Sequence, residues 1–263
     1  MTTTTMGRSG NPALGDRFEE AYRGAAAPAT MGVLGTALKT AFLLAIVVAG
    51  GAWGWASATE PTGVDLGSGY ANTTVTIPGG FWLASLGALF VGIWLVMNPL
   101  RAAVPAMVYA LLEGFVLGAI SAMFDAQTEG IVGAAIVATL SVFLAALFLY
   151  VTRLVRPTQR MAFGVAAGIG GLCLLYLFVA VISIFNWTWL YTEEFRTIGI
   201  VVSLIAVVLA ALSFTLDFAS IEAGVEAGAP KRLEWYCAYG LLVTVVWLYV
   251  TMLRLLALLA RNR

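Results

Sequence analysis

Histidine is absent from this chain of 263 residues, and cysteine occurs only twice, at Cys173 and Cys237. Without histidine the chain cannot form His-based catalytic triads, zinc or haem sites with a His ligand, or histidine pH switches. The two cysteines lie in apolar stretches without Cys-x-x-Cys spacing, which favours two small core residues over a disulfide or a metal pair. Any proton chemistry therefore depends on carboxylates.

Charged residues are scarce as well. They make up 11% of the chain, whereas 61% of it is hydrophobic; an ordinary soluble domain is about 25% charged and roughly 45–50% apolar. The composition therefore predicts a membrane protein whose main partner is the lipid bilayer. Because 14 Lys and Arg balance 14 Asp and Glu, the chain has no basic excess, and we expect no nucleic-acid partner.

Apolar stretches of membrane-crossing length occur seven times along the chain. Since about 20 apolar residues cross a hydrocarbon core ~30 Å thick, we predict an all-α, polytopic membrane protein. A pattern of short alternating strands is missing, so a membrane barrel is not expected. Residues 1–36, rich in Thr, Gly and Ala, are predicted to form a disordered cytoplasmic tail, and residues 37–263 the transmembrane domain. The predicted spans are approximately residues 38–55, 81–97, 102–123, 130–151, 161–184, 197–218 and 234–259.

The positions of Lys and Arg predict that the N-terminus is cytoplasmic, because short cytoplasmic loops retain positive charge. An odd number of spans then places the C-terminus outside, where Arg261 and Arg263 run against the rule. The cations on the N-terminal side are Arg8, Arg17, Arg23, Lys39, Arg101, Arg153, Arg156, Arg160, Lys231 and Arg232. The opposite loops carry Glu60, Asp65, Asp125, Glu129, Glu193 and Glu194, with Arg196 as their cation.

The first span has an alternative interpretation as a signal peptide. Its apolar run ends in Ala56-Ser57-Ala58, which has the small-x-small form of a signal-peptidase site. The tail of ~38 residues before this span is longer than in a usual signal peptide, which favours a retained helix. Cleavage would leave six spans in the same orientation.

Three carboxylates fall within the predicted spans, Glu113, Asp217 and Glu234. A carboxylate inside a bilayer costs several kcal/mol unless it is paired, protonated or wetted, so each is a functional-site hypothesis. Glu113 lies ~16 Å along its helix, near the bilayer centre, and Asp217 is expected in the last turns of the sixth span. Glu234 opens the seventh span, where its charge suits a helix N-terminus. A purely structural role is the alternative for all three.

Other residues in the spans are expected to serve packing or solubility. Lys39 and Arg254 can extend along their stems to the membrane interface, so neither requires a functional role. Gly114 and Gly118 form a Gly-x-x-x-Gly pair, which permits close contact between helices.

Several segments of the chain resemble the Bax inhibitor family, in particular its bacterial, YccA-like branch and the actinobacterial members of that branch. The closing segments carry most of the likeness: LDFASIE at 216–222, GAPKRLEWY at 228–236 and WLYVTMLRLL at 247–256. The opening NPAL at 11–14 and the stretch YALLEGFVLG at 109–118 add to it. The likeness covers nearly the whole chain from the first span onward.

This resemblance implies a seven-helix fold with the last helix central and the other six around it. It also implies a pH-sensitive calcium leak in the bacterial plasma membrane, in which two aspartates on the last two helices share a proton and an arginine after the second helix latches onto the first aspartate. Asp217 matches the first aspartate, and Arg101 matches the arginine loosely. The second aspartate falls on Thr244, so the pair is broken here. Glu113, at a similar depth, is a candidate replacement.

The preferred functional hypothesis is a cation path without a resident cofactor. Ca²⁺ is the expected permeant ion, since its hard charge suits oxygens such as those of Asp217, Glu113 and Thr244. The alternative is a protein that regulates a membrane partner, for example a membrane-bound protease, through the tail residues Asp16, Arg17, Glu19, Glu20 and Arg23. An enzyme is not expected, because no Gly-x-Gly-Asp motif accompanies Asp217. The permeant ion, the gating direction and the oligomeric state stay open.

Overall fold

The computed structural model describes residues 30–64, 71–155, 157–185 and 193–260. Within these residues the chain forms seven α-helices, and each coincides with one of the predicted spans. A two-stranded hairpin connects α1 to α2, and a 3₁₀ helix, Pro99–Arg101, connects α2 to α3. The helices are α1 (Val33–Ala58), α2 (Phe81–Met97), α3 (Ala103–Asp125), α4 (Ile131–Val151), α5 (Gln159–Phe185), α6 (Glu193–Glu226) and α7 (Leu233–Ala260).

Three helix ends differ from the prediction by four residues or more. Helix α6 begins at Glu193 and not near residue 197, so Glu193 and Glu194 belong to its first turn and not to the loop before it. Helix α1 begins at Val33, so residues 33–36, which were assigned to the tail, form its first turn; residues 1–29 lie outside the described residues. Helix α6 continues past Phe218 to Glu226, because no proline interrupts this segment and its Ala and Glu residues favour helix, although Glu222 and Glu226 lower its hydropathy. Asp217 therefore lies ~14 Å before the end of α6, and its predicted place in the last turns was wrong.

The hairpin was not predicted. Strand β1 (Thr59–Val64) pairs antiparallel with β2 (Ala71–Val75), directly after α1. The pairing begins at the helix end, where the Thr76 N–H donates to the Ala58 carbonyl at 2.9 Å. These strands are only five or six residues long, so they do not produce a pattern that stands out beside the apolar helices.

Six of the helices are long and apolar enough to cross a membrane, and α2 is shorter, with 17 residues. At the start of α1, the Met31 N–H donates to the Ala229 carbonyl at 2.8 Å, and Thr30 pairs with Pro230 in the α6–α7 loop. These contacts place the start of α1 and the α6–α7 loop on the same side of the membrane, so the chain between them must cross an even number of times. The helices α1 to α6 give an even number, six, only if the shorter α2 crosses as well. The geometry thus supports seven crossings, and we call the side that carries Thr30 and the α6–α7 loop the basic face.

Helix α7 forms the centre of the bundle. It packs against α6, α1, α4 and α3, and its side chains Tyr236, Leu242, Leu248 and Leu253 are fully buried. This confirms the last helix as the central one. Helices α2 and α5 are more peripheral, because α2 packs mainly on α3, and α5 on α6.

The closest helix pair joins α1 to α3. A Cβ atom on Gly114 would overlap the backbone of Val47, and one on Gly118 would overlap the Gly51 carbonyl, so the predicted role of this glycine pair in close packing is confirmed. On the α1 side, a Cβ on Gly50 would lie 2.6 Å from the Leu111 carbonyl oxygen. Cleavage after Ala58 would remove one half of this interface.

The outward sides of the helices are apolar. Large hydrophobic side chains such as Phe90, Leu144 and Phe178 are exposed on α2, α4 and α5, as expected for a surface in contact with lipid. Both cysteines are free, as predicted, but only Cys237 lies in the core; Cys173 is exposed on α5.

Candidate functional site

Asp217 lies inside the bundle, where α6 packs against α7, and its side chain is fully buried. The Thr244 hydroxyl donates a hydrogen bond of 2.8 Å to Asp217 Oδ2. The Thr244 oxygen also lies 3.3 Å from the Gly240 carbonyl, one turn earlier on α7. The structure therefore brings together the two positions at which the family places its aspartate pair.

Buried hydroxyl groups continue from Asp217 along the α6–α7 interface. Ser213 and Ser220, about one turn before and after Asp217 on α6, donate to the carbonyls of Leu209 and Leu216 at 2.9 and 2.8 Å. Thr251, seven residues after Thr244 on α7, is also buried and donates to its own helix. Because these hydroxyl protons are used locally, each oxygen keeps its capacity to accept. We call this set, with Asp217 and Thr244, the polar seam.

Asp217 and Thr244 of the seam were predicted from the sequence, whereas Ser213, Ser220 and Thr251 were missed. Their signal is the spacing of three, four and seven residues, which places small polar side chains on one side of a helix. Such a pattern is weak among the many alanines and glycines of this chain, because small residues also serve ordinary helix packing in membranes.

A cavity of about 610 Å³ opens at the basic-face end of α6, between α6 and the end of α4. Its walls include Tyr150, Arg153, Ala219, Glu222 and Glu226. The Tyr150 hydroxyl donates to Glu222, and the Arg153 guanidinium lies 3.8 Å from the same carboxylate. Ala219 follows Asp217 by two residues, so this acidic cavity reaches the level of Asp217 along the helix but lies on the opposite side of α6. Glu222 and Glu226 were not predicted because the sixth span was expected to end at Phe218.

Glu113 lies near the midpoint of α3 but belongs to a different part of the molecule. It is half-buried and lines a cleft between α2, α3 and α7, near the hydroxyl of Tyr239. Tyr239 and Thr244 are five residues apart and so point about 140° apart around α7. The structure therefore places Glu113 and Asp217 against different sides of α7.

Glu234 fixes the start of α1 to the start of α7. This carboxylate is 2% exposed, accepts the Gly32 N–H at 2.9 Å and forms an ion pair with Lys39. The Lys39 ammonium also lies 5.4 Å from the centroid of the Trp235 ring. Lys39, which was expected to extend to the membrane interface, thus pairs with Glu234, because the seventh residue of α1 faces the first turn of α7.

The remaining predictions from the sequence concern Arg101 and the metal ligands. Arg101 is exposed in the 3₁₀ helix and forms no ion pair with a described residue, so the structure does not place the family's latch against Asp217. No group of three or more Asp, Glu, Cys or His in the described ranges could hold a metal ion. Asp217 and Glu113, the proposed Ca²⁺ contacts, are therefore separate groups rather than one coordination shell.

Comparison with known proteins gives one match. A family model described as Bax inhibitor 1 like matches residues 11–261, which include all seven helices and the polar seam. Comparison with curated proteins and with solved structures gives no significant match.

Proposed function

The chain belongs to the Bax inhibitor 1-like family, and from this premise we propose that it is a pH-sensitive Ca²⁺ leak whose path follows the polar seam. The observation that supports the proposal is the fully buried Asp217, bonded by Thr244 across the α6–α7 interface. A carboxylate at this place costs several kcal/mol unless it is paired, protonated or wetted, which makes it a candidate functional residue. Its oxygens are of the kind that Ca²⁺ prefers.

The proposed path enters from the basic face. Glu222 and Glu226 line the cavity there, and their charge raises the local concentration of cations. From the basic face the ion then enters the α6–α7 interface and moves past Ser220 to Asp217 and Thr244, and then past Ser213. Oxygen atoms thus follow one another at about one helical turn, a spacing that lets an ion exchange ligands in steps rather than bind in one deep site.

The proposed pH response belongs to Asp217 alone. Thr244 offers a neutral hydroxyl donor, so no second carboxylate shares the proton. Acid neutralises Asp217 and removes the charge that attracts a cation. Arg101 would have to move from its exposed position to act as a latch on this group.

Flux through the purified protein in liposomes that contain a Ca²⁺ indicator tests the proposal. Asp217→Asn keeps the shape but removes the charge, and we expect Ca²⁺ entry to slow by about tenfold or more, equivalent to ~1.4 kcal/mol, with its pH dependence lost. Glu129→Gln is the matched control, because it neutralises an exposed carboxylate between α3 and α4 and should leave flux unchanged. Equal flux from Asp217→Asn and the parent would contradict the path; no flux from the parent would contradict the leak itself.

We further propose that the protein lies in the bacterial plasma membrane with its basic face, and hence its N-terminus, in the cytoplasm. Single cysteines at Gly79 and Thr158, both exposed, test this in a Cys173→Ala background with a membrane-impermeant thiol reagent. In intact cells Gly79→Cys should react, whereas Thr158→Cys should react only after permeabilisation. The reverse pattern would invert the orientation, and labelling of both in intact cells would contradict the crossing count.

Regulation of a membrane partner, such as a membrane-bound protease, stays a hypothesis from the family resemblance. The tail residues assigned to that contact lie outside the described residues, and no described feature favours it over the leak. A parent protein without Ca²⁺ flux would make it the preferred function.

A further inference from the structure

A second cavity, of about 560 Å³, lies between α2, α3 and α7. Its walls include Leu89, Ile93 and Met97 of α2, which are 57%, 51% and 57% exposed on the outer side of the bundle. Since this outer side faces lipid, the cleft opens sideways into the hydrocarbon region rather than toward water. We call it the Glu113 cleft.

The inner end of the cleft is polar. Glu113 lines it, half-buried at the middle of α3, and has no hydrogen bond or ion pair with any described residue. The rings of Tyr109, one turn earlier on α3, and Tyr239 of α7 also line the cleft, with centroids 5.0 Å apart and planes at 89°. A carboxylate that pairs with none of the described residues thus stands beside two aromatic rings at membrane depth.

Because Gly92 of α2 has no side chain, the Tyr109 and Tyr239 rings can pack directly against this helix. A Cβ at this position would lie 3.1 Å from the Tyr239 hydroxyl oxygen and 3.3 Å from Tyr109 Cε2. The Tyr239 hydroxyl also makes a long hydrogen bond of 3.4 Å to the Gly92 carbonyl. The wall formed by α2 is therefore apolar along the outside and close-fitting at the tyrosines.

These observations select a class of ligand. A carboxylate at the bilayer centre is stabilised by a partner of opposite charge, and aromatic rings attract organic cations through cation–π interactions. A hydrated metal ion does not enter from hydrocarbon, whereas an amphiphile that already resides in the bilayer does. An anionic headgroup would be repelled by Glu113.

We propose that the Glu113 cleft binds an amphiphilic amine, whose ammonium group lies at Glu113 beside Tyr109 and Tyr239 and whose alkyl chain lies along α2. The site is separate from the polar seam and does not depend on the Ca²⁺ leak. A neutral lipid chain is the competing occupant, because it would use the apolar walls without the carboxylate.

The test uses the full-length protein in phosphatidylcholine nanodiscs and hexadecylamine that carries a photoreactive diazirine on its chain. Mass spectrometry after illumination should find saturable crosslinks in residues 85–97 of α2 and in the middle of α3. Unlabelled hexadecylamine should compete with the probe, and hexadecanol should not. Equal competition by the alcohol would overturn the proposal in favour of an apolar lipid groove, and this comparison needs no variant.

Variants then test the two ends of the site. Glu113→Gln should weaken probe affinity by about tenfold or more, whereas Glu129→Gln removes the same charge from an exposed loop and should bind like the parent. Ser85→Leu adds volume at a partly exposed wall residue while keeping Glu113, and should also reduce labelling. Unchanged affinity in a well-folded Glu113→Gln protein would show that the carboxylate does not recognise the probe.

Discussion

The two intramembrane carboxylates of this protein, Asp217 and Glu113, occupy contrasting surroundings. Both lie well inside long apolar helices near the central helix α7. Asp217 is sealed in the α6–α7 interface and bonded by Thr244, whereas Glu113 is half-buried in a cleft that opens toward lipid. Depth in the membrane is therefore a poor guide to the role of a carboxylate. What separates the two is the side of α7 that each one faces.

The largest expected effect on the pH response of Ca²⁺ flux comes from adding a carboxylate to the α6–α7 interface, next to Asp217. Thr244→Asp places a second carboxylate in contact with Asp217, and two such groups hold one proton between them over a pH range in which a lone aspartate is ionised. We expect the pH response of Ca²⁺ flux to shift toward neutrality by about one pH unit or more. Thr244→Asn, of the same size but uncharged, is the control and should not shift it. A Thr244→Asp protein with the parental profile would rule out proton sharing at this position.

A smaller effect should follow from removing the hydrogen bond alone. Thr244→Val keeps the volume but leaves a buried carboxylate without this donor, which should lower the free energy of unfolding by about 1–3 kcal/mol. Titration with sodium dodecyl sulfate in mixed micelles measures the change. Thr251→Val is the matched control, because the Thr251 hydroxyl donates only within its own helix, and it should cost under about 1 kcal/mol. Equal losses of unfolding free energy in the two variants would show that the hydrogen bond to Asp217 stabilises the protein no more than a bond within one helix does.

The smallest effect on transport is expected from neutralising Glu113 in the cleft that opens toward lipid. Glu113→Gln breaks no hydrogen bond or ion pair with the described residues, so Ca²⁺ flux and its pH profile should stay within about twofold of the parent. The same liposome assay measures both. Loss of the acid response in this variant would make Glu113 the functional substitute for the missing second aspartate, and the division between the two sides of α7 would no longer hold.

Much of the fold could be predicted because hydropathy alone locates membrane spans. All seven predicted spans correspond to helices. The family resemblance, aligned by counting back from the Leu-Arg-Leu-Leu ending at residues 253–256, pointed to Asp217 and Thr244 as the two matching positions. The end of α6 could not be predicted in the same way. Glu222 and Glu226 end the apolar run, but helix propensity and the cavity beside α4 allow the helix to continue through them.

Contacts between distant parts of the chain were beyond the reach of local patterns. Lys39 and Glu234 are 195 residues apart, and neither has a neighbour in sequence that indicates the other. The position of Glu113 in a lipid-open cleft likewise depends on which side of α3 meets α2 and α7. The periodicity of apolar residues does not indicate which side of α3 faces its neighbours, because α3 is apolar on nearly all sides.

The contacts of α1 with α7 also set the order in which the protein can be completed. Ribosomes make α1 first and α7 last, yet Lys39 and the Gly32 N–H receive their carboxylate from Glu234 at the start of α7. Until that helix emerges, the Lys39 ammonium group lacks this carboxylate. The contact between α1 and α7 can therefore form only after the last helix has been made. In a chain interrupted before Leu233, the Lys39 ammonium would stay without its carboxylate and would be accessible to the cell's quality-control machinery.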